Sequence, residues 1–395
     1  TSNEPNLRGY SFRTVSPIAL LAILFISFCL RHPIKQWWYL IDCPKSLTDI
    51  YVENTQKGER LKLFGDEFRA SIPIYKYKEK YYTTYDFEKN KVSGSDTIYV
   101  SVSGNDSNNG RSPILSKQTI ESAIKTSAHT IVLLEGHYLA GKNFENGTNL
   151  SDINLIGIGK VVVDNNKGLP FVVSGNVFIR NIEFDNGNRG SLRTYIQDNN
   201  SICTYIQCKF NNSIVDNEDV GKAQSLGGLR IQGGTHYLYK CEASNNGFDG
   251  FSYHAAPDGS SNAPHIVEVD CKAFHNGVNN TYESNNASTA HDGTNIIRLN
   301  CVYGFSHGGN VADVHKKTVS FNIGCMSYSV MDLGPENSKY QANYFCASDA
   351  IMYLLDCKSY GSFYDISCWN GGNLFADRIY QKKYDKGGTI NMLRR

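Results

Sequence analysis

A short segment built around a cysteine recurs six times in the second half of this 395-residue chain. In each copy an apolar residue lies two positions before the cysteine, a polar residue or glycine directly precedes it, and a turn-forming segment follows. The copies contain Cys208, Cys241, Cys271, Cys301, Cys325 and Cys357. The alternation predicts a β-strand with one buried face. A strand-and-turn unit that repeats at the spacing of these cysteines predicts a solenoid, in which stacked coils bury a continuous core that no single coil could form.

The cysteine pattern favours buried thiols over disulfide bonds. The chain contains 11 cysteines, an odd number, and no Cys-X-X-Cys motif. Because six of them are in register, we expect free cysteines that pack as small apolar side chains in an inward ladder. Inward Ile, Leu and Val with Asn at the turns are typical of a parallel β-helix.

A second segment points to a known family. "IYVSVSGNDSNNGRSP" at 98–113, followed by "QTIESAIKTS" and "TIVLLEGHYLAG", resembles the entry segment of pectate-lyase-like right-handed β-helix proteins. In that family an edge strand and a Gly/Asn/Asp loop precede a short helix, here "TIESAI", that caps the open end. The resemblance covers residues 98–380. It implies an all-β fold, a right-handed parallel β-helix with an N-terminal capping helix, and relatives that act on or bind polysaccharides. It does not define an activity, since the fold carries lyases, hydrolases, epimerases, esterases and phage adhesins.

One strongly apolar run, "SPIALLAILFISFCL" at 16–30, precedes this region and is flanked by basic residues. It is shorter than the roughly 20 residues of a spanning helix, and no small-residue cleavage site follows it. We expect an uncleaved signal-anchor; a cleaved signal peptide and a buried helix are the alternatives. The chain then divides into the hydrophobic signal-anchor region 1–41, a polar Tyr/Lys-rich stalk or appendage 42–97, the β-helix 98–380 and a basic tail 381–395.

Charge and composition narrow the partners. The 39 Lys and Arg residues nearly balance 38 Asp and Glu residues, for a net charge of +1. A nucleic-acid binder would show a basic face, so we expect no nucleic-acid partner. The 25 Tyr and 19 Phe residues offer rings that can stack on sugars. We expect a polysaccharide partner and an extracytoplasmic protein, membrane-anchored through 16–30 or secreted, at a cell or virion surface. A homotrimer, as in phage β-helices, is a candidate state.

Seven of the ten histidines fall between His236 and His315. The segments "GGLRI", "DGFSY", "HDGTN", "VADVH" and "SDAIM" align as one strand of successive coils, and residues one coil apart lie about 4.8 Å apart in space. Their outward side chains are predicted to form a groove floor, with the loop "APDGSSNAP" at 256–264 as its wall. The candidate catalytic residues are His254, His291, Asp292, Asp249, Asp313 and His315. The candidate substrate-binding residues are Arg230, Tyr253, Arg298 and Lys316.

Structural explanations compete with each of these assignments. The Asp-Gly pairs at Asp249 and Asp292 also suit turns, because Asp caps a turn and Gly permits a positive φ. Arg298 lies on the cysteine strand, three residues before Cys301, and can face another wall of the solenoid.

The first hypothesis is a lyase or C5-epimerase that acts on a uronate-containing polysaccharide. This chemistry needs a group that neutralises the carboxylate, a base and an acid. Arg230 suits the first role, and His254 or His291 suits the second, with Tyr253 as a secondary acid. "NGFDGFSYH" and "TAHDG" weakly resemble elements of alginate epimerases, but the contiguous Asp-Pro-His-Asp run of that family is missing.

Two further hypotheses stay open. A glycoside hydrolase needs two carboxylates, which Asp249, Asp292 and Asp313 can supply, although the polygalacturonase-like motifs are absent. A non-catalytic, tailspike-like adhesin would use the same groups to bind sugar hydroxyls. No transition-metal motif is present; a Ca²⁺ ion that bridges substrate and carboxylates is a candidate cofactor. We expect a polysaccharide-active enzyme, with a lyase or epimerase ahead of a hydrolase.

Overall fold

The computed structural model of the protein describes residues 72–77, 80–197, 200–214, 226–255, 262–277, 285–330 and 341–393. The predicted anchor at 16–30 and most of the predicted loop at 256–264 lie outside these ranges. Within the described ranges, no helix is long and apolar enough to cross a membrane.

Three long parallel sheets form the walls of a solenoid, in which each coil passes from sheet 1 to sheet 2 and then to sheet 3. In the described residues, sheet 1 has 12 strands: Thr97–Val100, Thr130–Leu133, Ile153–Gly157, Val177–Arg180, Ile202–Ile206, Thr235–Tyr239, His265–Val269, Asn295–Leu299, Val319–Ile323, Ile351–Leu355, Asn373–Ala376 and Thr389–Met392. Sheet 2 has nine over the same ranges: Gly136–Leu139, Val161–Asp164, Glu183–Asp185, Lys209–Asn211, Glu242–Ser244, Lys272–Phe274, Val302–Gly304, Met326–Tyr328 and Lys358–Tyr360. Sheet 3 has ten described strands: Asn149–Leu150, Phe171–Val173, Leu192–Thr194, Gly227–Gln232, Asp249–His254, Ser288–Ala290, Val311–Val314, Ala342–Ala347, Tyr364–Trp369 and Lys383–Tyr384. The predicted right-handed parallel β-helix is confirmed.

The predicted capping helix is also present. Helix α1, Ile120–Ile124, begins after Thr119, whose side chain accepts a hydrogen bond from the backbone N–H of Ser122. Such an N-cap satisfies one of the backbone donors that a helix leaves free. Ile120 and Ala123 are buried in the core beside the first strands of sheet 1. The helix therefore covers the apolar end of the solenoid.

The inward side chains form one continuous apolar core, and a cysteine ladder runs through it. All nine cysteines in the described residues are free and buried. The six repeat cysteines are 0–1% exposed, and the thiol of each lies beside the thiol of the next along the ladder. Burial raises the pKa of the Cys271 and Cys301 thiols well above the ordinary value. The prediction of free, packed cysteines is confirmed for these residues.

The corner before each repeat cysteine differs from the predicted continuous strand. The residue preceding the cysteine adopts a left-handed conformation, with φ between 53° and 62°, at Gln207, Lys240, Asp270, Asn300, Gly324 and Asp356. The strand ends one residue earlier, so the apolar residue and the cysteine face opposite sides of the wall. Val269 and Leu299, for example, belong to an outer cluster, whereas Cys271 and Cys301 belong to the core. The alternation thus marks a corner rather than one strand with a single buried face.

That outer apolar surface of sheet 1 is covered by the chain that precedes the solenoid. An antiparallel hairpin, Ile74–Tyr77 and Lys80–Thr83, and a 3₁₀ helix, Phe87–Asn90, lie against it. The Phe87 ring stacks on Tyr239, with 4.9 Å between ring centroids. This part of the predicted 42–97 appendage therefore lies flat on sheet 1. At the other end, Thr389–Met392 of the predicted tail pairs with Asn373–Ala376.

Candidate functional site

The outer face of sheet 3 carries most of the candidate residues. Arg193 and Arg230 are neighbours on adjacent strands, and Ser252 and then Thr289 occupy the same position on the next two. These side chains point outward because the residues on either side of them, such as Leu229 and Ile231, are fully buried in the core. One polar column thus crosses four coils.

A histidine cluster lies at the C-terminal ends of these strands. The rings of His254 and His291 stack, with 4.2 Å between centroids and an angle of 18°. His315 meets His291 edge-on, with 5.2 Å between centroids. The Asp292 carboxylate accepts a hydrogen bond from His315 Nδ1 at 2.6 Å and lies 3.5 Å from His254 Nδ1. Three successive coils therefore bring four of the predicted catalytic residues together.

Asp292 and His315 form an ion pair at the solvent edge of this cluster. His254, 3.5 Å away, and the hydrogen bond from His315 hold the pKa of Asp292 well below its ordinary value. The hydrogen bond to Asp292 raises the pKa of His315. Both side chains are about half exposed, so the His315 ring can meet a ligand from solution.

Burial disfavours the charged form of His254 and of His291. Burial is the main cause of the lowered pKa of both rings, and the nearby His254 and His315 lower the pKa of His291 further. The Nε2 atom of His291 is hydrogen-bonded to the Thr289 hydroxyl at 2.7 Å. Its Nδ1 atom makes no hydrogen bond to any residue that the structure describes. In the neutral tautomer that donates from Nε2 to Thr289, the Nδ1 atom of His291 has the free lone pair that a base needs.

A second hydrogen-bonded chain leads from His254 to a buried carboxyl group. His254 Nε2 lies 3.2 Å from the Ser252 hydroxyl, which donates to Asp249 at 3.0 Å. The other Asp249 oxygen accepts from the backbone N–H of Asn286 at 2.7 Å. Burial outweighs these hydrogen bonds and raises the pKa of Asp249 to about 7. Asp249 is therefore connected to the histidine cluster through the hydrogen bonds of Ser252 and His254.

Ser252 and Thr289 were not predicted from the sequence. Each lies two positions before a histidine of the cluster and hydrogen-bonds to that histidine. In an extended chain, two residues that are two positions apart lie on the same face. This spacing between a hydroxyl residue and a histidine could have identified Ser252 and Thr289 from the sequence.

The structure separates three candidates from the site. Tyr253, Arg298 and Asp313 are all 0% exposed inside the solenoid. Arg298 donates to both carboxylate oxygens of Asp313, at 3.0 and 3.2 Å, and the Tyr253 hydroxyl donates to Glu268 at 2.9 Å. These residues occupy inward positions of their strands, where a polar group must find a partner within the core. The predictions that they contact substrate or catalyse are wrong.

The alignment of two segments in the predicted groove floor differs from the structure. "HDGTN" follows the strand Ser288–Ala290, and the apolar part of "SDAIM" begins the sheet 1 strand Ile351–Leu355, so neither aligns with the other segments as predicted. Lys316 is exposed in the turn beside His315. The predicted wall at 256–264 lies largely outside the described residues.

One group within the described ranges has metal-ligand spacing, namely Glu268, Cys271 and Cys301. It does not suit a cation. The Glu268 carboxylate already accepts from the hydroxyls of Tyr253, Ser288 and Tyr303, and burial keeps both thiols protonated. The candidate Ca²⁺ ion stays a prediction.

Comparisons with known proteins give two solved structures of low similarity. No family model matches the sequence, and no curated protein matches it. The crystal structure of pectate lyase Pel9A is similar with a TM-score of 0.43 and 17% identity, over 74% of this chain and 80% of that one. A rhamnogalacturonan lyase is similar with a TM-score of 0.34 and 12% identity, over 71% of this chain and 73% of that one. The strand order of the three sheets itself defines this chain as a parallel β-helix.

Proposed function

We propose that the outer face of sheet 3 is the active site of an enzyme that removes the C5 proton of a uronate within an acidic polysaccharide. The observation that carries this proposal is the pair His291 and His315. Their rings lie 5.2 Å apart, yet the pKa of His291 is lowered and that of His315 is raised. Neighbouring groups whose surroundings separate their pKa values are suited to serve as base and acid in one reaction.

Arg230 supplies the third requirement, a cation for the substrate carboxylate. It is half-buried, one strand from Ser252, and no carboxylate among the described residues forms an ion pair with it. A guanidinium can bind a carboxylate through two parallel hydrogen bonds. Neutralising that carboxylate makes the adjacent C5 proton easier to remove, because the charge that develops there is stabilised.

The reaction follows from these positions. His291 Nδ1 accepts the C5 proton, and the electron pair left on C5 is delocalised into the carboxylate held by Arg230. The C4–O4 bond then breaks, the electron pair forms a C4=C5 double bond, and O4 takes a proton from His315. Asp292 raises the pKa of His315, which favours the protonated acid before this transfer, and burial lowers the pKa of His291, which favours the neutral base.

A lyase is favoured over an epimerase. An epimerase must return a proton to the opposite face of the sugar ring, which requires acid and base on opposite sides of the substrate. His291 and His315 lie side by side on one face of sheet 3. Elimination needs no opposite placement, since base and acid can act from the same side.

Hydrolysis has weaker support. It requires two carboxyl groups that flank the scissile bond. Asp313 is in the core with Arg298, and Asp249 is 8% exposed. That leaves Asp292, which already binds two histidines.

A glycan-binding protein without turnover is the second candidate. It is supported by Trp369, which is partly exposed on the same face and packs on the buried Phe345 ring, 5.7 Å between centroids. An exposed indole ring can stack on a sugar.

A substrate screen tests the proposal. The full chain is incubated with a panel of acidic and neutral polysaccharides while ultraviolet absorbance of unsaturated uronate and release of reducing ends are followed together. A lyase raises both signals on an acidic polymer, and a hydrolase raises reducing ends alone. Deuterium uptake at C5 without chain cleavage indicates an epimerase. Binding without any of these signals leaves the glycan-binding protein and refutes the enzyme.

A further inference from the structure

Two arginines stand out on the outer face of sheet 3. Arg193 and Arg230 are register partners on adjacent strands, and both side chains are half-buried. Adjacent strands lie about 4.8 Å apart. Two guanidinium groups in this arrangement can therefore reach the same small anion.

In the part of the chain that the structure describes, neither arginine has a carboxylate partner. Within the described residues, Arg111, Arg180, Arg298 and Arg378 each form an ion pair with a carboxylate, but Arg193 and Arg230 form none. The Nε atom of Arg230 is buried and has no hydrogen-bond partner. An unsatisfied buried donor costs folding free energy, so the folded chain keeps a donor here that a ligand can use.

A third positive charge, Arg189, lies near this pair. Burial is the first cause of the lowered pKa of both guanidinium groups, and neighbouring positive charges lower them further, from Arg189 at Arg193 and from Arg193 and Arg189 at Arg230. Repulsion and desolvation both oppose folding. Groups held at such a cost are more common at functional sites than elsewhere.

The pair adjoins the histidine cluster. Arg230 is the register partner of Ser252, which hydrogen-bonds to His254. The charge of Arg230 also contributes to the lowered pKa of His254. An anion held by the pair would lie beside the stacked histidines, on their N-terminal side along the solenoid.

We propose that Arg193 and Arg230 together bind one oxyanionic group of the glycan, the uronate carboxylate, and that Arg193 is a specificity-determining residue. The identity of this group rests on the proposed function, whereas the anion subsite itself does not. Each guanidinium donates hydrogen bonds to the carboxylate. The carboxylate thereby accepts from the otherwise unpaired Nε of Arg230, and its negative charge reduces the repulsion between the two arginines. A neutral sugar relieves neither the unpaired Nε of Arg230 nor the repulsion between the two arginines. The subsite therefore selects acidic over neutral glycans.

Thermal unfolding of the full chain with small probes tests this proposal. The probes are sodium glucuronate, a sulfated glucose and glucose, with sodium chloride added to equal ionic strength. We expect glucuronate to raise the Tm and glucose to leave it unchanged. Arg193→Gln is expected to raise the ligand-free Tm, because repulsion is removed, and to lose most of the response to glucuronate. Arg230→Gln should lose that response too, and Arg111→Gln, at an exposed ion pair with Asp96, should keep it.

The outcomes separate the subsite from the proposed function. An equal glucuronate response in the wild type and both sheet 3 variants would refute the subsite. A larger response to the sulfated glucose, lost in the same variants, would overturn the carboxylate assignment. His291→Ala is expected to keep the anion response while it loses turnover. If no polymer is turned over but the response still depends on Arg193, the proposed function fails and the subsite stands.

Discussion

The imidazole rings of His254 and His291 lie face to face on adjacent coils, with 4.2 Å between their centroids. Two protonated rings at this distance would repel strongly, so the stack itself favours neutral imidazoles. Asp292 draws the positive charge of the cluster to His315 at the solvent edge. The geometry thus separates a neutral inner pair from a charged outer ring, and the predictions on activity follow from that separation.

Replacing His291 with alanine removes the proposed base. We expect kcat to fall by about 10²- to 10⁴-fold, the usual contribution of a positioned general base, with the fold retained. His254→Ala should also abolish most turnover, because it removes the ring that stacks on His291 and binds Asp292. The measurements are kcat on the best polymer and the circular dichroism of each variant.

The control for these variants is His275→Ala. His275 is exposed at the corner after sheet 2 and stacks on Phe305, 5.1 Å between centroids. This variant is expected to keep full activity. If His254→Ala and His291→Ala also kept full activity on the true substrate, the site assignment would be wrong.

The pH dependence of kcat/KM should show the two opposed pKa shifts. The pKa of His291 is lowered from 6.5, so the base is lost to protonation only below that pH. The pKa of His315 is raised from 6.5, so the acid is lost to deprotonation only above it. We therefore expect a bell-shaped profile whose acidic limb lies below 6.5 and whose basic limb lies above it.

Asp292→Asn assigns the basic limb. Without the carboxylate the pKa of His315 should return toward its ordinary value, and the basic limb should move to lower pH. Asp164→Asn is the matched control, because Asp164 pairs with His137, at 3.0 Å, in sheet 2. A basic limb that stays in place in Asp292→Asn would show that His315 is not the acid.

The sequence was sufficient for the solenoid because its evidence repeats. Stacked coils place equivalent residues in register, so the cysteine spacing reports the fold many times. The direction of each outward or inward side chain was harder to infer. Residues with a left-handed backbone conformation, such as Lys240 and Asp270, reverse which side chains point inward at a corner. A simple alternation of apolar and polar residues does not show where this occurs.

The same difficulty explains the errors at the site. Asp313 and His315 lie in one segment, "VADVH", and the sequence offers no sign that the former points inward while the latter faces solvent. Arg298 and Asp313 are charged residues of a kind that rarely enters a core. Their mutual ion pair, formed between sheets 1 and 3, and the hydrogen bonds from Arg298 to Ser288 and Asn322 make that burial tolerable.

The internal ion pair predicts a large loss of stability when one partner is removed. Asp313→Ala leaves the Arg298 guanidinium buried with Glu268 as its remaining carboxylate neighbour, 3.7 Å away. We expect a loss of about 3 to 5 kcal/mol in the free energy of unfolding, measured by urea denaturation. Asp292→Asn, at a half-exposed ion pair, should cost about 1 kcal/mol or less, and Asn tolerates the left-handed backbone of this position, φ 56°. Equal losses in the two variants would contradict the internal placement of Asp313.

The left-handed corners make a final prediction about stability. Gln207 has φ 54° and is exposed, so its side chain contributes little packing and its backbone decides which residues are tolerated. Gln207→Ile should lower the free energy of unfolding by about 1 to 2 kcal/mol, because a β-branched residue fits the left-handed region poorly. Gln207→Gly should cause no such loss, since glycine adopts this conformation freely and that gain offsets its greater entropy in the unfolded chain. Lys209→Ile, at an exposed strand position two residues later, is the control and should be tolerated. If Gln207→Ile were as stable as Lys209→Ile by urea denaturation, the corner would not require a left-handed residue.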